Sequence, residues 1–209
     1  MKTSLPRYRL SFIIAIIIFS NANAQSKLGV EQYNYIQHSG DVVFVPIIHL
    51  ETKKNWYTEL RYNYEDKQTL SVFTGKTFEG GKNLSYTITP MVGLSGGQFT
   101  GISLATNNDI EWKNICLSMQ SQYSFAAKAN NDNFFFNWSE LSYDITGNVY
   151  VGLAMQYTGQ RGQSLFEPGI MAGFNFKKFS IPLYVFNPFN SERYFVFGIN
   201  FQYDFKKRK

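Results

Sequence analysis

The sequence predicts an all-β chain: a single antiparallel β-barrel of about twelve strands that crosses a membrane, joined by short turns. Three observations predict it. The first is strict alternation, clearest from Tyr194 to Phe205, where Phe195, Phe197, Ile199, Phe201, Tyr203 and Phe205 share one face. Their neighbours Tyr194, Val196, Gly198, Asn200, Gln202 and Asp204 turn increasingly polar toward the end. The second is composition. Aromatics make up 18% of the 209 residues and charged residues 17%, against about 25% charged in an ordinary soluble domain. Mean hydropathy is nevertheless −0.24, as expected when only one face of each strand meets lipid. The third is an export leader ahead of the strands.

The leader has the order of a secretory signal. Lys2, Arg7 and Arg9 form a basic start, LSFIIAIIIF runs from Leu10 to Phe19, and Ala22-Asn23-Ala24 makes a small-residue cleavage site before Gln25. The apolar run is well short of the roughly 20 residues that a spanning helix needs. No cysteine follows the site, which argues against a lipoprotein signal. The expected division is therefore residues 1–24 as leader, 25–205 as barrel and 206–209 as a basic tail. Removing 24 residues from 209 leaves 185, and removing three leader cations lowers the net charge from +5 to +2.

The strands follow in order. Asp41 to Thr52 puts Val42, Phe44, Pro46, Ile48 and Leu50 on one face; Pro46 cannot donate to a ladder, so a bulge or irregularity is expected there. Lys53-Lys54-Asn55 turns into Trp56 to Glu65, with Trp56, Thr58, Leu60, Tyr62 and Tyr64 outward and Tyr57, Glu59, Arg61, Asn63 and Glu65 inward. Asp66-Lys67-Gln68 leads to Thr69–Phe78, of ambiguous phase, and Glu79 to Asn83 turns on its glycines. Leu84, Tyr86, Ile88, Pro90 and Val92 form the next apolar face.

After Ser95-Gly96-Gly97, Phe99 to Trp112 sends Ile102, Leu104, Ile110 and Trp112 outward and Ser103, Asn107, Asp109 and Glu111 inward. Lys113-Asn114 turns into a strand with Ile115, Leu117, Met119, Tyr123 and Phe125 outward. Beyond the Asn130 to Asp132 loop, Phe134 to Asp144 holds Trp138 and Glu140 in a mixed pattern. Gly147-Asn148 is a hairpin signal before Val149 to Tyr157. A loop over Gly159 to Ser164 precedes Phe166–Phe176, Lys177-Lys178 turns into Phe179–Val185, and a loop over Asn187 to Glu192 precedes the last strand.

That gives eleven strands from Asp41, and Leu28 to Gln37 supplies a twelfth despite poor alternation. Single-chain bacterial barrels have even strand counts, so twelve is preferred and ten comes next. Counted back from the last strand, turns at one end are short and those at the other mostly longer, an asymmetry of these barrels. Trp56, Trp112 and Tyr157 fall near strand ends, where an aromatic belt belongs.

Several classes are excluded. No basic stripe of the nucleic-acid-binding kind is present. Cys116 is the only cysteine, and His38 and His49 have no cysteine partners at metal-ligand spacing, so no metal site is expected. Charges on a barrel wall avoid lipid and face the lumen. The candidate lumen charges are Glu59, Arg61, Glu65, Asp109, Glu111 and Glu140, which serve either as a salt-bridged plug or as the lining of a small-solute path. No catalytic residue is assigned. A lipid-modifying enzyme is one alternative and would need His49 paired with Ser71, Ser85 or Ser103. A secreted lipocalin-like binder is another; it would invert the two faces, because periodicity does not distinguish inside from outside.

The closing strand, ending on Phe201, Tyr203 and Phe205, resembles the last strand of bacterial outer-membrane β-barrels. The Lys206 to Lys209 tail departs from that pattern, in which the aromatic residue ends the chain. The resemblance implies a bacterium with two membranes, outer-membrane lipid and the barrel-assembly machinery as partners, these three aromatics as assembly signal, and no cofactor.

Overall fold

The structure, a computed structural model, describes residues 26–205; the leader and the basic tail lie outside the described residues. The strands are β1 (Lys27–Ile36), β2 (Val42–Glu51), β3 (Trp56–Tyr62), β4 (Leu70–Lys76), β5 (Phe78–Gly80), β6 (Leu84–Gly96), β7 (Gly101–Trp112), β8 (Ile115–Ala126), β9 (Phe134–Asp144), β10 (Val149–Gln160), β11 (Gln163–Phe176), β12 (Phe179–Phe186) and β13 (Tyr194–Asp204). Each pairs antiparallel with its sequence neighbour, except that β4 and β5 both pair with β6. β1 also pairs with β13 from Lys27↔Asp204 to Ile36↔Phe195, and β4 pairs with β6, so the sheet closes as a twelve-stranded barrel with β5 as an extra piece. Closure leaves no exposed edge, which a lipid solvent requires.

β5 is β4 continued. Leu70↔Gly96 and Phe78↔Ile88 lie in one unbroken register against β6, interrupted only beside Pro90. The other strand prolines act alike. Pro46 pairs with Gln32 in a continuous β1–β2 ladder, while the β2–β3 ladder stops at Ile47. Pro182 pairs with Gly173, while the β12–β13 ladder skips from Ser180 to Leu183. A residue without N–H weakens one ladder and leaves the other intact. The irregularity expected at Pro46 is thus a one-sided ladder end, with no shift of register against β1.

The faces fall as alternation demands. Leu94 is 65% exposed on the outer wall, whereas Ser95 beside it is buried. The exposed outer wall is a belt of Val, Ile, Leu and aromatic side chains. That arrangement rules out the inverted, lipocalin-like assignment, because the apolar faces would then have to point inward. Lysines of the short turns lie over the belt's aromatic rim, Lys113 Nζ 4.7 Å from the Trp112 ring centre and Lys178 Nζ 3.8 Å from that of Tyr203. The ammonium stays wet while its stem covers the ring.

Three sequence expectations are corrected. Tyr64 points inward, because β3 ends at Tyr62 and Asn63 adopts a left-handed φ of 58° that breaks the two-residue period. The loop expected over Gly159 to Ser164 is a turn at Arg161-Gly162, since Gln160 already pairs with Gln163 and Gly162 supplies the positive φ. Ser95 and Gly96 belong to β6 rather than to a turn.

Inward glycines make room for rings. A Cβ on Gly93 would overlap the Phe73 ring, and one on Gly173 the Tyr150 ring. Each ring occupies the space a Cβ would take, so these lumen aromatics are held against the wall.

Candidate functional site: the barrel lumen

Three groups of side chains occupy the lumen. The first forms around Arg61 on β3. Its Nε donates to Glu59 Oε1, its Nη1 donates to Gln122 Oε1 at 2.9 Å and lies 3.7 Å from Glu65 Oε1. The guanidinium carbon sits 4.4 Å from the Tyr64 ring centre and 4.3 Å from that of Phe73. Only 2% of the Arg61 side chain is exposed. A buried cation between two carboxylates needs further partners, and here Gln122 accepts from Nη1 while the two rings pack against the guanidinium. Gln122 Nε2 passes the network on to Ser124 Oγ at 2.7 Å, and Tyr57 donates to Glu59 at 2.6 Å.

The second group is an aromatic cluster across the lumen. Trp138 on β9 lies 5.3 Å from Tyr33 on β1, 5.4 Å from Tyr184 and 6.0 Å from Phe186 on β12, in tilted and edge-on geometries. Val45, Ile47, Ala154, Met171 and Val196 pack around them. Tyr64 joins the two groups, donating to Gln120 Oε1 at 2.6 Å and meeting the Phe136 ring edge-on at 5.6 Å. Side chains from opposite walls thus fill the middle of the barrel.

The third group lines a cavity of about 550 Å³ toward the end of the barrel where β1 begins and β13 ends. Glu31, Glu51, Asp109, Glu111, Glu140 and Asp144 face it, with His49 and Lys113 as basic groups. His49 Nδ1 lies 3.3 Å from Glu31, and Lys27 bridges Glu51 and Glu79 at 3.5 Å each. Tyr184 donates to Glu140 at 2.8 Å, and Ser85 to Glu111 at 3.4 Å. Among the described residues, Asp109, Glu111, Glu140 and Asp144 have no Lys or Arg ion-pair partner.

The sequence candidates therefore divide. Glu59, Arg61 and Glu65 gather in one buried cluster, while Asp109, Glu111 and Glu140 stand around the cavity. Glu31, Glu51 and Asp144 were missed, as was the aromatic cluster. Carrying the inward phase of His49 onto the preceding strand finds Glu31, since Gly29 pairs with His49. Outward Gln32 and Asn34 had blurred that phase. His49 pairs with Glu31 and stacks on Tyr57, whereas Ser71 bonds Glu65 and Ser95, Ser103 bonds Ser124, and Ser85 bonds Glu111. No nucleophile–base pair forms from these residues. Phe201 and Tyr203 lie on the outer face of β13, and Phe205 N donates to Ser26 O at 2.8 Å across the closing seam.

Solved bacterial porins share this architecture. The KdgM porin superposes with a TM-score of 0.60 at 10% identity, covering 84% of this chain and 98% of its own. A KdgM porin in complex with disordered oligogalacturonate gives 0.62 at 9% identity, covering 83% and 98%. The NanC porin gives 0.53 at 8% identity, covering 85% and 99%. No protein-family profile and no curated protein matches the chain. The fold is that of outer-membrane porins, and the apolar outer belt is that of a membrane-spanning barrel.

Proposed function

We propose that the chain is a narrow outer-membrane pore whose acidic vestibule favours small cationic solutes over anions, with the aromatic cluster as its constriction. The observation that carries this reading is the cavity lined by six carboxylates, four of them without a cationic partner among the described residues. Rings of carboxylates in a low-dielectric wall concentrate cations and exclude anions. In this reading the end where β1 begins and β13 ends, with the acidic cavity, faces the periplasm. Glu59, Arg61 and Glu65 act as a strut, because their charges are spent on one another; Asp109, Glu111 and Glu140 set the field that a solute meets. The oligogalacturonate-bound porin supports a small solute as the cargo of such a fold. That ligand bears carboxylates, and an acidic vestibule disfavours it here. The belt contacts lipid, residues 1–24 direct export, and Phe201, Tyr203 and Phe205 are read by the assembly machinery.

The test is the reversal potential of the mature chain in a planar bilayer under a salt gradient. Small steps with cation selectivity are expected. Anion selectivity would overturn the assignment of the acidic lining. An absence of steps in both the native chain and Trp138→Ala would make the barrel a closed scaffold.

A further inference from the structure

The lipid-facing wall is mostly apolar; outward amides occur on β1, at Gln32 and Asn34, and a wider polar patch crosses β7, β8 and β9. Along β7 the outward residues read Ile102, Leu104, Thr106, Asn108, Ile110 and Trp112; along β8 Ile115, Leu117, Met119, Ser121, Tyr123 and Phe125; along β9 Phe135, Asn137, Ser139, Leu141 and Tyr143. The register sets Thr106, Ser121 and Asn137 in one row and Asn108, Met119 and Ser139 in the next. Apolar residues bound these rows toward both membrane faces. The patch therefore sits at mid-depth, where no water or headgroup reaches it.

Part of its hydrogen-bonding capacity is spent internally. Asn137 Nδ2 donates to Ser121 Oγ at 2.9 Å, Ser139 to Asn137 Oδ1 at 2.7 Å and Thr106 to Asn108 Oδ1 at 2.9 Å. The Asn108 amide is different: among the described residues, no acceptor engages its Nδ2. Outward amides elsewhere are satisfied, Gln32 by Tyr33 O and Asn34 by Phe197 O. A primary amide left without an acceptor in hydrocarbon is strongly unfavourable, so this wall calls for a cover that supplies one.

We infer that this face is the contact through which two copies of the barrel associate side by side in the membrane. A second copy is the occupant that the observations favour. Every copy inserts in the same direction, so a two-fold axis along the membrane normal brings each patch against its twin at equal depth. An amide with a free donor beside hydroxyl acceptors is complementary to its own copy. The patch is uncharged, which suits another barrel's wall rather than a headgroup. Met119, in the Asn108 row, is a side chain that adapts to an opposing surface.

Cysteine cross-linking in native outer membranes tests this. In a Cys116→Ser background, Ser121→Cys should give a dimer-sized band on oxidation, and Ile48→Cys on the opposite wall should not. The paired substitution Asn108→Leu and Ser139→Ala should convert the purified species from two copies to one by native mass measurement, while its heat-modifiable gel shift persists. A single-copy mass for the unsubstituted chain in lipid nanodiscs, equal cross-linking at Ile48→Cys, a dimer that survives the paired substitution, or a Ser121→Cys adduct with a different polypeptide would each overturn the inference.

Discussion

Trp138 and Tyr33 meet across the lumen with ring centres 5.3 Å apart and planes inclined by 52°, although four strands separate β9 from β1 in the sheet. One contact therefore ties opposite walls together. It lies within the aromatic cluster proposed as the constriction of the path. Ring pairs at such separations are favourable beyond the area they bury.

Replacing Trp138 tests both roles. Trp138→Ala should raise the unitary conductance in planar bilayers, because the ring bridges Tyr33, Tyr184 and Phe186. It should also lower stability by about 3–5 kcal/mol, measured as a shift of the urea midpoint for unfolding from micelles. Unchanged conductance in a folded variant would move the constriction elsewhere.

Arg61 should be more sensitive than its neighbours. Arg61→Met leaves Glu59 and Glu65 buried without a cation and should cost about 3–5 kcal/mol. Adding Glu59→Gln and Glu65→Gln removes the uncompensated charge and should recover most of that loss. The temperature of the gel-mobility shift on heating reports it.

Selectivity should follow the cavity and not the strut. Asp109→Asn, Glu111→Gln and Glu140→Gln together should move the reversal potential toward zero, with the barrel still folded. Glu59→Gln with Arg61→Met should leave the reversal potential near the native value, since those charges cancel locally.

The glycine seats should be intolerant of added bulk. Gly93→Ala forces a methyl into the Phe73 ring and, through it, disturbs the Arg61 guanidinium stacked above. A loss of about 1–3 kcal/mol is expected from overpacking, read as a lower unfolding midpoint.

The outer belt should reject charge by depth. Leu104→Arg, one outward position from the mid-depth row of Thr106 on β7, should cost about 2–4 kcal/mol in a folding titration with lipid vesicles, as arginine does toward a bilayer midplane. An arginine tolerated there would place Leu104 in the lumen.

Sequence alone determined the barrel, a count of about twelve strands and which residues of each regular strand share a face. Alternation is a local property of extended backbone, so Phe195 to Phe205 and Ile102 to Trp112 declare it without help from neighbours. The hairpin at Gly147-Asn148 was legible because Gly147 permits backbone angles that few other residues adopt. Direction was lost where alternation broke. Asn63 turned Tyr64 into the lumen, and no pattern along the strand announces one left-handed residue. Tertiary structure decided everything that depends on closure. Strand tilt and stagger choose which levels of opposite walls meet, and nothing local encodes them. Closure joined Tyr33 to Trp138 and Arg61 to Gln122, set Glu31 and Asp144 around one cavity with Asp109, and left the Asn108 amide facing lipid. Inside and outside are likewise properties of the closed sheet: a strand presents two faces, and only the barrel decides which one meets the membrane.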